Sequence, residues 1–401
     1  MLEIEEALQL VLSRAAPLRP QTLSAEESLG LVLAESIHSD IDSPPHDKSI
    51  VDGYAIIAAD TASSSVELAL LEEITAGETP QHAVHVGHCS RIMTGAPIPQ
   101  GADAVVMVER TELIAAYGVR ILQSGVKPGQ NIMRRAASLA CGQQVLSASH
   151  VLRAIEVGLL NEVGRCEVQV HPRPRVAVLA TGNELVPASD KPAASQIRNS
   201  NGPMLSALVR QAGGMPIDLG IGRDDAAQLR ACCQRGLQCE VLVISGGVSA
   251  GVLDLVPGVL DSLGIEQVFH KINLKPGKPL WFGVRPHTQT LVFGLPGNPV
   301  SSLVCFELFV RPALARLAGS PNGGLARAVA QLTSDYHHRG DRVTMYPAAL
   351  QRHAQSLLAT PLINWRGSGD IYSFTSAQGL IHFPVGERHY RSGDEVSVLM
   401  F

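Results

Sequence analysis

The chain has 401 residues, 45% of them hydrophobic and 17% charged, which excludes a disordered polypeptide and, at about 100–200 residues per domain, implies two to four domains. Its 32 basic and 37 acidic residues leave a formal net charge of -5, so nucleic acid and anionic membranes are excluded as general partners and any anionic ligand needs a local basic site. Aromatic residues are only 4%, with 37 Gly and 25 Pro, so the interior is expected to be aliphatic and interrupted by many sharp turns.

In chain order, residues 2–15 place Ile4, Leu8, Val11 and Leu12 at helical spacing. The acidic start Met1-Leu2-Glu3-Ile4-Glu5-Glu6 lacks the basic and apolar layout of a signal peptide. The seven cysteines include no C-x-x-C pair; reduced thiols, a cytoplasmic location and no structural zinc are the expectation. Ser24-Ala25-Glu26-Glu27 has a capping-box pattern and predicts a second short helix. From about 62 to 146 short β-type runs separated by Gly and Pro predict an all-β region. Helical spacing returns over 148–161, so the β region reads as an insertion between helical pieces that pack together.

Beyond Arg173-Pro174-Arg175, strand-like runs at 176–180, 240–244 and 291–295 alternate with helical stretches near 201–212, 225–235, 254–263 and 300–317. That rhythm predicts a doubly wound α/β domain with a parallel sheet, whose ligands bind beyond the carboxyl ends of the strands. Residues 319–324 read as a linker, and 325–401 as a small β-barrel or sandwich.

Three strand-end segments attract chemistry. Ser245-Gly246-Gly247-Val248-Ser249-Ala250-Gly251 follows a strand, and its glycines let backbone N–H groups approach an anion; a tight turn without ligand fits equally. Leu295-Pro296-Gly297-Asn298-Pro299-Val300-Ser301 is a rigid turn into a helix, suited to a pocket wall. Between them, Lys271, Asn273, Lys275 and Lys278 crowd one short stretch; alternation would put the first three on one strand face, as an oxyanion clamp or as a solvated edge strand. Glu184, Asp224 and Asp254 each stand just past a strand, where they can cap a helix or jointly hold a hard cation such as Mg²⁺. In the inserted region Asp52 and Thr94 sit in polar turns, and His46 lacks a second histidine at ligand spacing. Neither G-x-G-x-x-G nor a Walker lysine pattern is present, which argues against a dinucleotide-dependent oxidoreductase.

The segments Asp47–Ala55, Arg91–Pro99, Thr181–Leu185, Ser245–Gly251 with Asp254, Lys275–Pro279 and Leu295–Ser301, in this order, closely resemble the MoeA family of molybdopterin molybdenumtransferases, which includes the E domain of gephyrin. The resemblance implies four domains: a split helical domain (1–45 and 140–172), an inserted β domain (46–139), a molybdopterin-binding-like α/β domain (173–318) and a C-terminal β-barrel (325–401). It implies a homodimer with an intersubunit site that turns adenylyl-molybdopterin and molybdate into the molybdenum-loaded cofactor and AMP. Contacts with the molybdopterin adenylyltransferase and with acceptor molybdoenzymes follow from that role. Catalytic positions would be Asp52, Thr94, Lys271, Lys275 and Asp254. Gly246, Gly247, Ser249, Lys278, Pro296, Pro299 and Ser301 would bind substrate, and Glu184, Asp224 and Asp254 would hold Mg²⁺. The chain departs from the family pattern where Ala136-Ala137-Ser138 replaces Gly-Glu-Asp and where Asn183 replaces an Asp, and Arg342 matches it only loosely. The first departure keeps a second reading in play, a catalytically weakened molybdopterin-binding or scaffold protein. With so few aromatics, a pterin is expected to find few rings to stack on.

Overall fold

Continuous apolar runs become central strands when both faces of a sheet are covered, and three such runs build the core of the larger part of this chain. In the computed structural model, which describes residues 1–63, 65–115, 117–248, 255–321, 323–353 and 356–401, six strands form one sheet. They are β1 (Arg175–Thr181), β2 (Met215–Gly222), β3 (Val241–Ser245), β4 (Glu266–His270), β5 (Trp281–Arg285) and β6 (Thr290–Leu295), in the order β2-β1-β3-β6-β5-β4. The first four are parallel. An antiparallel hairpin, β4 and β5, extends the edge beside β6, so the sheet is mixed where the sequence predicts a purely parallel one.

Alternation along the strands splits the interior in two. Val176, Val178, Val241, Val243 and Phe293 point to one side, against α1 (Asn201–Gln211) and the stretch that runs from α4 (Pro299–Cys305) through a π-helical turn to α5 (Arg311–Leu317). Ala177, Leu179, Leu242 and Ile244 point to the other, against α2 (Ala226–Gly236) and α3 (Val256–Ser262). The N-terminal helix Ile4–Arg14 buries Ile4, Ala7 and Val11 in the first of these cores. The capping-box residues Ser24 and Glu27 do bond reciprocally, but they close a turn after the strand Gln21–Ser24, so the predicted second helix is absent there.

The C-terminal region closes on itself. Strands β7 (Ala326–Leu332), β9 (Val343–His353), β10 (Ser356–Pro361), β11 (Gly379–Phe383) and β13 (Glu395–Met400) form the ring β9-β10-β7-β13-β11-β9. This five-stranded barrel is filled by Leu332, Ala348, Ala359, Ile381, Phe383 and Val398. A two-stranded ribbon, β8 (Tyr336–Gly340) with β12 (Gly386–Tyr390), stands beside it.

These parts belong to one compact unit, Met1–Glu35, Ser149–Ala154 and Glu167–Phe401. A second unit, Ser36–Ala148 with Ile155–Cys166, carries a six-stranded sheet whose strands Gly53–Ile56, Val66–Ile74, Ala104–Met107 and Gly118–Ile121 bury Tyr54, Ile56, Leu68, Val106 and Val119. Among the described residues no helix is long and apolar enough to cross a membrane. All seven cysteines are unpaired, and burial pushes the Cys89 and Cys233 thiols up to about 12.

Candidate active site

The carboxyl ends of β1, β3 and β6 converge, and the turns leaving them make one wall of a cleft of about 1220 Å³ within the larger unit. The turn after β3 can approach the others only because it lacks side chains. A Cβ on Gly246 would stand 2.5 Å from the Thr181 carbonyl oxygen, and Gly246 and Gly247 have φ of +97° and +64°, a region that favours glycine. The Gly246 N–H donates to the Leu295 carbonyl at 3.1 Å, which ties this turn to the end of β6. Asn201, the first residue of α1, ties the turns a second time: its Nδ2 donates to Ser245 Oγ and to the Gly297 carbonyl, both at 2.7 Å. Asn201 Oδ1 is buried and has no partner, so this cleft residue retains an unused acceptor.

The opposite wall comes from the lysine segment and the barrel. Leu274–Lys275 pairs in parallel with Val343–Thr344 at the start of β9, which brings Arg342 and Tyr346 to the cleft beside Lys275 and Lys278. Trp365 and Ser368 reach it from the loop after β10. Asn298 Nδ2 donates to Ser368 Oγ at 2.9 Å, and the Val300 N–H to the Ser368 carbonyl at 3.0 Å. The loop after β6 and the barrel are thereby fastened to each other.

Charge is distributed to suit an anion. Arg198, Lys275, Lys278 and Arg342 line the cleft against two carboxylates, Glu184 and Asp224, a local excess of positive charge in a chain whose net charge is -5. The adjacent aspartates after β2 divide their roles. Asp225 caps α2 by accepting from the Gln228 N–H at 2.8 Å. Asp224 turns to the cleft, where Asn183 and Asp224 exchange bonds: Asn183 N–H donates to Asp224 Oδ2 at 3.2 Å and Asp224 N–H to Asn183 Oδ1 at 3.1 Å. Asn183 thus fills a structural place that needs an acceptor, which a side-chain amide provides.

Of the residues singled out from sequence, Gly246, Gly247, Lys275, Lys278, Pro296, Pro299, Ser301, Glu184 and Asp224 all line this one cleft. Lys271 does not. Its φ is +71°, its N–H bonds the Leu280 carbonyl, and the segment bends where alternation predicts a straight strand. Asn273 faces the N-terminal helix instead, donating to the Glu3 carboxylate at 2.9 and 3.1 Å. Ser249 and Asp254 lie outside the described residues. Asp52 and Thr94 belong to the second unit and meet each other: the Thr94 N–H and hydroxyl both donate to Asp52 Oδ1 at 2.7 Å. Those two bonds, hydroxyl first, hold the Asp52 carboxyl below its ordinary range.

Sequence reasoning missed Asn201, Arg198, Tyr346, Trp365 and Ser368. The polar run Asn199-Ser200-Asn201 at a helix entrance and the Gly367-Ser368-Gly369 loop carried a local signal; the rings did not. Although aromatics are sparse, Tyr346 and Trp365 both stand on the cleft wall, packed edge to face at 5.3 Å, and Trp365 Nε1 is buried without a partner.

A strand-end cleft in a doubly wound domain, floored by two glycine turns and rimmed by lysines, is the class of site suited to a phosphorylated or oxyanionic small molecule. Three family models match: the MoeA N-terminal region (domain I and II) over residues 2–164, a probable molybdopterin binding domain over 177–316, and the MoeA C-terminal region (domain IV) over 329–401. The chain belongs to the MoeA family. It is 34% identical to the molybdopterin molybdenumtransferase of Bacillus subtilis, covering 99% of this chain and 93% of that one. To the molybdopterin molybdenumtransferase of Synechocystis it is 30% identical, covering 98% of each. The crystal structure of the molybdopterin biosynthesis MoeA protein from Pyrococcus horikoshii matches with a TM-score of 0.85 at 34% identity, covering 100% of this chain and 99% of that one.

Proposed function

We propose that the chain is a molybdopterin molybdenumtransferase that converts adenylyl-molybdopterin and molybdate into the molybdenum-loaded cofactor and AMP. The observation that carries this reading is the convergence of Lys275, Lys278, Gly246, Gly247, Glu184 and Asp224 in one cleft. The substrates bring phosphate, pyrophosphate and oxyanion charge, and the cleft offers backbone turns and carboxylates at the strand ends and ammonium groups from the lysine segment opposite. Lys275 and Lys278 hold phosphate and molybdate oxygens as point charges, and the Gly246-Gly247 turn admits those oxygens close to the backbone. The Tyr346 and Trp365 rings give a pterin apolar area.

Glu184 and Asp224 form a pair of exposed oxygen donors on the cleft rim, the chemistry Mg²⁺ prefers. Bound there, Mg²⁺ would neutralise charge on the pyrophosphate that breaks to release AMP. The two carboxylates would hold the ion, and the lysines would remain available to the oxyanions. We extend the proposal to a cytoplasmic homodimer of four-domain subunits, bounded at 1–45 with 140–172, 46–139, 173–318 and 325–401. Asp52 and Thr94 of a second copy would serve the substrate. Its supplier would be a molybdopterin adenylyltransferase and its recipients molybdoenzymes.

Purified protein with adenylyl-molybdopterin, molybdate and Mg²⁺ should release AMP in a molybdate-dependent manner, and Glu184→Gln with Asp224→Asn should raise the Mg²⁺ concentration required. The competing reading, a binding or scaffold protein, is favoured by the absence of carboxylates at Ala136-Ala137-Ser138. Tight binding of adenylyl-molybdopterin without molybdate-dependent AMP release would select it.

A further inference from the structure

We infer that the outer face of the β8–β12 ribbon is a binding site for a divalent transition-metal ion, with Zn²⁺ the ion its donors fit, held by His337, Glu387 and His389. The site goes beyond the transferase reading, and none of the three residues lines the strand-end cleft. The ribbon's register pairs Tyr336 with Tyr390, His337 with His389, His338 with Arg388 and Arg339 with Glu387. Because side chains alternate along a strand, His337, Arg339, Glu387 and His389 share one face and Tyr336, His338, Arg388 and Tyr390 the other. The second face is anchored: the Tyr336 and His338 rings stack on Phe383 with centroids 4.9 Å away, and Tyr390 packs on the same ring at 5.1 Å. The backbone beneath the first face is therefore held in place by the barrel core while His337, Glu387 and His389 stay exposed.

On that face the His337 and His389 rings lie parallel, 3.9 Å between centroids and 3° between planes. His337 Nε2 is 2.9 Å from Glu387 Oε1. One donor atom from each of the three residues falls within 4.8 Å of the others. Zinc takes imidazole nitrogen at about 2.0–2.1 Å and carboxylate oxygen at about 2.0–2.2 Å, so tetrahedral donors stand about 3.4 Å apart. Rotation of exposed side chains on a fixed backbone supplies the remaining closure. Two imidazoles with one carboxylate select zinc, nickel or copper over magnesium and calcium, which prefer all-oxygen shells. Arg339 competes for Glu387, with Nε 3.8 Å from Oε2, but its side chain is 81% exposed and free to swing away. Three protein ligands leave a fourth position for water or for a donor from another molecule.

The test is calorimetric titration of the full-length, metal-stripped and tag-free protein with Zn²⁺. One equivalent per chain should bind, and His337→Ala or His389→Ala should each weaken binding by at least the roughly 10- to 100-fold that loss of even a ligand-orienting partner costs. Since all three side chains are exposed, the variants should unfold at the wild-type temperature, which separates lost ligation from lost structure. Titration with Cu²⁺ gives a second readout, since the wild-type spin-resonance spectrum should show coupling to two imidazole nitrogens and each single histidine variant to one. No Zn²⁺ uptake by the wild type, or unchanged uptake in the His337→Ala/His389→Ala double variant, would overturn the assignment.

Discussion

Gly246→Ala tests whether the cleft floor depends on a close approach of backbone to backbone. The added Cβ would meet the Thr181 carbonyl oxygen at 2.5 Å and Thr181 Oγ1 at 3.0 Å, and the carbonyl cannot move without parting the ends of β1 and β3, which pair as far as Ala180 and Ser245. A left-handed backbone costs an L-residue about 1–2 kcal/mol and overpacking a tight site about 1–3 kcal/mol, so a loss of about 2–5 kcal/mol is expected. That is a large share of the about 5–15 kcal/mol that holds a domain folded. Gly297 provides the control. It lies on the same cleft, yet a Cβ there would meet nothing nearer than Gly246 Cα at 3.8 Å, so Gly297→Ala should stay within about 0.5 kcal/mol of wild type. Urea unfolding followed by tryptophan fluorescence reads this unit directly, because both tryptophans, Trp281 and Trp365, lie in it. Equal midpoints for Gly246→Ala and wild type, or equal losses for the two variants, would refute the reasoning.

Further tests concern the electrostatics and the backbone. Lys275→Ala and Lys278→Ala should each weaken adenylyl-molybdopterin binding by about tenfold and flatten its dependence on salt; an unchanged salt slope would remove the lysines from the anion site. Ala136 holds a φ of +60°, which costs about 1–2 kcal/mol against roughly 0.5–1 kcal/mol for the entropy a glycine loses. Ala136→Gly should therefore stabilise the second unit by about 0.5–1 kcal/mol in a denaturation followed by circular dichroism, and a destabilised variant would contradict this. Because the Asp52 carboxyl is depressed by its two bonds from Thr94, its contribution is present above the ordinary carboxylate range and is lost as pH falls through the lowered value. The Thr94 amide resonance should track that titration with a midpoint below the ordinary 3.8, and a midpoint at or above 3.8 would show that the bonds do not form in solution.

The α/β core was legible because Val176–Ala180, Val241–Ile244 and Leu291–Leu295 are apolar without interruption, as strands covered on both faces must be. The β4–β5 hairpin was not, since Glu266-Gln267-Val268-Phe269-His270 carries neither a long apolar run nor a two-residue turn signal. Alternation misplaced Lys271 because it presumes an extended chain, whereas the φ of +71° at that residue turns the backbone onto a new course toward Lys275. Asp224 and Asp225 are chemically alike in sequence, and only the position of the α2 cap separates them. Arg342 and Tyr346 reach the cleft through the pairing of Leu274–Lys275 with Val343–Thr344, a contact between distant segments that no local pattern encodes, and Trp365 packs against Tyr346 from the loop after β10.

The central claim is that the strand-end cleft of the larger unit receives the oxyanion. Crystals soaked with molybdate and measured at the molybdenum absorption edge should show an anomalous peak within hydrogen-bonding reach of Lys275 or Lys278 and beside the Gly246-Gly247 turn. A well-occupied molybdate elsewhere on the chain, with this cleft empty, would contradict the account.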